Sequence, residues 1–303
     1  MSNPKFQHYV PACYLREFVD SDGFVWIFSR DGKTKRKQKP ERTFGSNHLY
    51  TINVKGKKDY RIEKTLANIE GAYAKIFKDK IKKHKPLSDY EHIILCVFVA
   101  AQLQRTLRFK ENEENFIQQI VEMGTQVALS HGVESEEVKK WQEYKQDAHK
   151  ITLVQSFPHL TKILMQMSLA FLCSPNPQKH YFITSDDPCV MFNPDLQWQK
   201  FYGPGFGQQN VQLTLPLSPE IAVMFCWANY KGYSWLSGSR LEEFNRMTRG
   251  HCNKEFLTSS EKVKSLWLWK LPPDLFFMLR AIRKMTPYYI YKVKRWWRDR
   301  KYA

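Results

Sequence analysis

A chain of 303 residues, 43% hydrophobic and 15% aromatic, carries enough apolar surface for a sizeable core, which excludes an intrinsically disordered protein. Its 47 lysines and arginines against 30 aspartates and glutamates give a formal charge of +17, a balance that favours polyanionic partners. The six cysteines form no CxxC pair, the opening MSNPKFQHYVP lacks an apolar signal core, and the apolar run 93–101 is too short to span a bilayer; the expected location is a reducing cytoplasm.

In chain order, residues 23–28 form a β-type run, Asp31-Gly32 is a hairpin turn signal, and the return arm 33–39 is almost wholly basic. Residues 49–54 are a third candidate strand. Ile62, Leu66, Ile69, Tyr73, Ile76 and Phe77 recur at helical spacing and define one apolar face. Pro86 ends that pattern, and Ser88-Asp-Tyr-Glu91 reads as a capping box opening a helix to about residue 109. An acidic stretch covers 111–147 with a break at Gly132, and a further helix is expected over 151–173. Short strands are then expected at 181–184 and 189–192, around the turn Ser185-Asp186-Asp187-Pro188. Residues 211–217 and 221–227 read as a strand pair joined at Ser218-Pro219. A second capping box, Ser239 to Glu242, opens a helix to about residue 249.

Strands, then helices, then strands predict an α+β fold. A helical middle section would pack on a small, largely antiparallel sheet built from N- and C-terminal strands. Residues 1–272 would form the single domain and 273–303 a basic aromatic helical tail. That tail carries Lys294, Arg295 and Arg298 around Trp296-Trp297, suited to phosphates or to a membrane surface.

Four polar residues stand out as candidate chemistry. Arg105, with Gln102, falls within an otherwise apolar helix, and a guanidinium there needs an anion: Glu70, Asp186 or a ligand phosphate. It is either half of a structural ion pair or a substrate clamp. Glu63 and Glu70 lie along one edge of the preceding helix. Two carboxylates on that ridge, joined by Asp186, could hold a divalent metal such as magnesium for phosphodiester hydrolysis. The competing reading makes Glu63 and Glu70 a solvated edge beside lysines and Asp186 a turn residue. His8, flanked by aromatics, suits proton transfer or, more ordinarily, a structural hydrogen bond. No P-loop, GxSxG elbow or HExxH occurs.

The chain resembles a bacterial family of unknown function (DUF4238-like) that opens with Gln7-His-Tyr-Val-Pro11, followed by Tyr14-Leu15 and Phe18. Further matches are Asn47 with Tyr50, Ile69-Glu70, Gln102-x-x-Arg105-Thr106, Ile183-Thr-Ser-Asp-Asp-Pro188 and Asn245, in family order from about residue 5 to 260. Ala12 and Cys13 depart from the usual bulkier or polar residues, and Leu107 stands where a proline often follows. The resemblance implies no activity. It implies which polar residues belong together, and a setting among prophage or defence cargo.

Two functional expectations result. In the first, the protein binds DNA or RNA through the arm Lys35, Arg36, Lys37 and through the tail, in bacterial defence or on a mobile element. If it is an enzyme, it is then a metal-dependent nuclease, with His8, Glu70, Arg105 and Asp186 catalytic and Glu70 and Asp186 on the metal. In the second it is a non-catalytic module whose tail docks to a protein partner or an anionic membrane.

Overall fold

The computed structural model describes residues 5–54, 57–131, 135–196 and 203–268. The chain opens with β1 (Phe6–His8) and the short helix α1 (Ala12–Leu15), then the hairpin of β2 (Val25–Ser29) and β3 (Lys35–Gln38). Gly32 sits at φ +73°, the left-handed geometry this Asp-Gly turn requires. β4 (Gly45–Asn47) pairs antiparallel with β1, and β5 (Ile52–Val54) with β6 (Lys57–Asp59).

α2 (Arg61–Asp79) buries Leu66, Tyr73, Ile76 and Phe77, the face that the periodicity marks. α3 (Asp89–Gln104) starts at the expected capping box: Ser88 Oγ accepts the Glu91 amide at 3.3 Å, and the Glu91 carboxylate accepts the Ser88 amide at 2.8 Å. It ends sooner than the apolar pattern suggests. Thr106 Oγ1 accepts the Phe109 amide at 3.3 Å and so caps a new helix, α4 (Leu107–Ser130), leaving Arg105 at the joint.

α5 (Ser135–Gln166) also differs from expectation. Residues 168–173 are strand β7 (Ser168–Cys173), not helix, because both of its edges find partners in β11 (Ile221–Cys226) and β12 (Gly232–Trp235). A short apolar run has no period that separates the two states; pairing decides. β8 (Thr184–Ser185), β9 (Val190–Phe192) and β10 (Gln212–Pro216) fall near their expected places. β8 and β9 do not pair with one another, however. α6 (Gly238–His251) is capped by Ser237, whose hydroxyl accepts the Arg240 amide, and not by Ser239. β13 (Glu255–Thr258) and α7 (Ser265–Leu268) follow.

The architecture is α+β, with two principal sheets. One has the order β3-β2-β13-β8, so an N-terminal hairpin and a late strand share a sheet as expected. The larger, β12-β7-β11-β10-β9, comes entirely from the second half and is antiparallel except at β12–β7. The turn carrying Asp186 and Asp187 crosses from the first sheet to the second. One apolar cluster joins helices and sheet through Tyr14, Tyr73, Phe98, Val99, Leu213 and Phe225. Within it the rings of Tyr73 and Phe98 stack at 3.6 Å.

Candidate functional site

Gln7, Tyr50, Glu70, Gln102 and Arg105 converge at the α3–α4 joint. Arg105 is 3% exposed, and its Nη1 donates to Glu70 Oε1 at 2.7 Å while Nη2 donates to the carbonyl of His8. Burial alone lowers the guanidinium pKa, but Glu70 and Tyr50 outweigh it and hold the proton more tightly than usual. The Arg105 carbonyl accepts the Tyr50 hydroxyl at 3.0 Å. The Tyr50 amide in turn donates to Gln7 Oε1 at 2.6 Å, and Gln7 Nε2 donates to Thr51 at 3.1 Å. Gln102 Nε2 donates to the Tyr9 carbonyl at 3.2 Å. Gln7, Tyr50, Gln102 and Arg105 thus tie the N-terminal segment to α2 and α3.

Three atoms of this cluster, Glu63 Oε2, Gln102 Oε1 and Arg105 Nε, are buried without a hydrogen-bond partner among the described residues. Burial raises the Glu63 pKa, with nearby Arg105 lowering it and Glu70 raising it. A carboxyl group whose folded pKa is raised contributes its full stability below the unfolded value and loses it as pH rises through the folded value. Glu63→Gln is therefore expected to match the parent in urea unfolding at acid pH and to exceed it at neutral pH. A parallel pH profile for the two proteins would show Glu63 to be solvated.

His8 lies on β1, beside the cluster. Its ring Nε2 meets the Glu41 carbonyl at 3.2 Å, and burial lowers its pKa against the opposing charge of Glu70, favouring neutral imidazole. His8, Glu70 and Arg105 are thus brought together.

Asp186 belongs to a different network. Its Oδ1 accepts the Asn253 amide at 2.8 Å, and its Oδ2 accepts those of Lys254 and Glu255 at 2.7 and 3.1 Å. Burial raises its pKa while the three amides pull the other way. Asp187 next to it takes Arg108 at 3.1 Å and His251 at 3.2 Å. No hydrogen bond joins Asp186 to Glu70, and no group of three histidine, cysteine, aspartate or glutamate side chains is placed to hold a metal ion among the described residues.

Sequence reasoning missed Arg108, three residues past Arg105, which also donates to the Cys252 carbonyl at 2.8 Å. The second arginine after Gln-Leu-Gln-Arg-Thr was the available signal. Glu242, expected to close a capping box with Ser239, is instead buried, and its carboxylate takes His180, Lys264 and the Trp267 indole at 2.5 to 2.8 Å.

The basic arm is largely neutralised. Lys35 reaches Glu261 at 2.9 Å, Arg36 pairs with Glu255, and Lys37 sits between Asp20 and Asp22 at 2.9 and 2.7 Å. Lys37 also lies over Trp26 and Phe24. The tail residues Lys294, Arg295, Trp296, Trp297 and Arg298, and the boundary at 272, lie outside the described residues.

Compared with known families, the chain matches the model described as a protein of unknown function (DUF4238) over residues 7–262. It belongs to the DUF4238 family. The matched span contains every motif of the Arg105 network and ends before the basic tail. No curated protein and no solved structure matches this DUF4238 chain. No helix among its described residues is long and apolar enough to cross a membrane.

Proposed function

We propose that this DUF4238 protein binds nucleic acid through the phosphate backbone, as a basic module in bacterial defence or on a mobile element. Its motif residues, in this reading, are the polar core that fixes the fold. The observation that carries the proposal is where the excess charge is displayed. In the segment 75–85, Lys75, Lys78 and Lys85 are exposed and carry no ion pair among the described residues. Lys82 and Lys83 make only long, exposed contacts to Glu17 and Asp79, at 3.4 and 3.9 Å, of the kind that contribute little. Such lysines are available to replace counterions on a polyanion.

A hydrolytic step is not part of the proposal. Glu70 is neutralised by Arg105, and both Asp186 oxygens are engaged by backbone amides. Fluorescence anisotropy with labelled DNA and RNA should show binding at low salt, with log K falling linearly as log salt rises. The absence of any binding at low salt would sink the proposal. Strands incubated with magnesium are expected to stay intact, and cleavage that Glu70→Gln abolishes would restore the nuclease reading.

A further inference from the structure

The exposed edge of the larger sheet carries aromatic side chains beside these lysines. β12 is its outermost strand, with Trp235 60% exposed and Tyr230, just before the strand, 58% exposed. His84, in the left-handed conformation at φ 52°, turns the chain after the short 3-10 turn Ile81–Lys83. Its ring meets Tyr233 edge-on at 5.0 Å and Trp235 at 5.6 Å. The Tyr233 hydroxyl donates to the Lys85 carbonyl at 2.9 Å, and the Tyr233 ring stacks on Phe171 at 4.7 Å. The lysine turn is thereby fastened to the edge strand, and the exposed Lys82, Lys83 and Lys85 flank in sequence the histidine that meets the exposed Trp235 indole.

We infer that this surface binds single-stranded nucleic acid, with a base stacked on Trp235 and the backbone held by Lys82, Lys83 and Lys85. This rests on the preceding reading and adds a substrate class to it. Two physical points select the class. An exposed indole face gains most from a base whose own face is free, which a duplex denies and a single strand offers. The ring that meets Trp235 belongs to His84, which lies between the exposed Lys82, Lys83 and Lys85, a cationic setting suited to a phosphate backbone. The β2–β3 hairpin makes the contrast: its cations already cover its aromatic rings and already have carboxylate partners.

The test uses the full chain, labelled oligo-dT, a duplex of equal length and phosphatidylserine vesicles. The parent should prefer the single strand. Trp235→Ala should weaken oligo-dT binding about tenfold or more while leaving duplex binding unchanged. Trp235→Phe should retain most of the affinity. A triple Lys82→Glu, Lys83→Glu, Lys85→Glu variant should reduce the single-strand salt slope by about 2. Because all four side chains are exposed, unaltered thermal melts should accompany each change. Oligo-dT binding by Trp235→Ala equal to the parent's overturns the inference and leaves the preceding reading standing, as does equal parental affinity for duplex and single strand. Vesicle binding by a parent that binds no strand overturns both.

Discussion

Glu70→Ala is expected to lower the unfolding free energy by about 3 kcal/mol, near the bottom of the range for breaking a buried ion pair. The substitution leaves the Arg105 guanidinium, 3% exposed, without its carboxylate. The Glu70 side chain keeps 22% of its surface, so water reaches part of the site and moderates the loss. For a chain of this size that is a fall of about 5 °C in melting temperature. The double variant Glu70→Leu with Arg105→Met should recover much of the loss, because it removes both charges and retains volume. Urea unfolding of the two single variants and the double variant measures the coupling directly. A Glu70→Ala variant as stable as the parent would show that Arg105 draws its compensation elsewhere, and the fold-fixing role would fail.

A loss of similar size, about 3 kcal/mol, is expected for Asp186→Ala, since hydrogen bonds to a charged group contribute roughly 1.5–3 kcal/mol each and burial of the carboxylate offsets part of the sum. The three amides it accepts, from Asn253, Lys254 and Glu255, lead directly into β13. That strand is the centre of the four-stranded sheet, holding β2 on one side and β8 on the other. Without the carboxylate those donors lose their acceptor where the strand begins. Asp186→Asn, which keeps one acceptor oxygen, should cost less. Hydrogen exchange at residues 253–258 separates this role from a catalytic one: faster exchange confined to that segment is expected, with nucleic-acid affinity unchanged. Unchanged exchange would remove the structural assignment.

What could be read in advance was what neighbouring residues settle among themselves. The Ser88–Glu91 capping box, the Asp31-Gly32 turn and the apolar face of α2 each depend on contacts within a few residues, and each is present as expected. The segment 168–173 is a strand where helix is expected because its state depends on β11 and β12, which are far along the chain. The break at Arg105–Thr106 was hidden by apolar continuity, although Thr106 is itself a local capping signal. That Arg105 required an anion was legible from its apolar surroundings; that the anion is Glu70 was one choice among three.

By itself the sequence determined the charge excess, the α+β pattern, the family and the need for a counter-ion at Arg105, since composition, periodicity and the cost of a buried charge are carried by the chain wherever it folds. Only the tertiary structure decided which charges meet. Lys35 finds Glu261 across 226 residues and Arg36 finds Glu255 across 219, so the most basic stretch of the first half is neutralised. In the segment 75–85, Lys82 reaches the distant Glu17 only at 3.4 Å, Lys75, Lys78 and Lys85 carry no ion pair among the described residues, and His84 brings the segment against Trp235 of the sheet edge. Coulomb attraction acts through space and falls with distance, so only the fold settles which positive surface stays open.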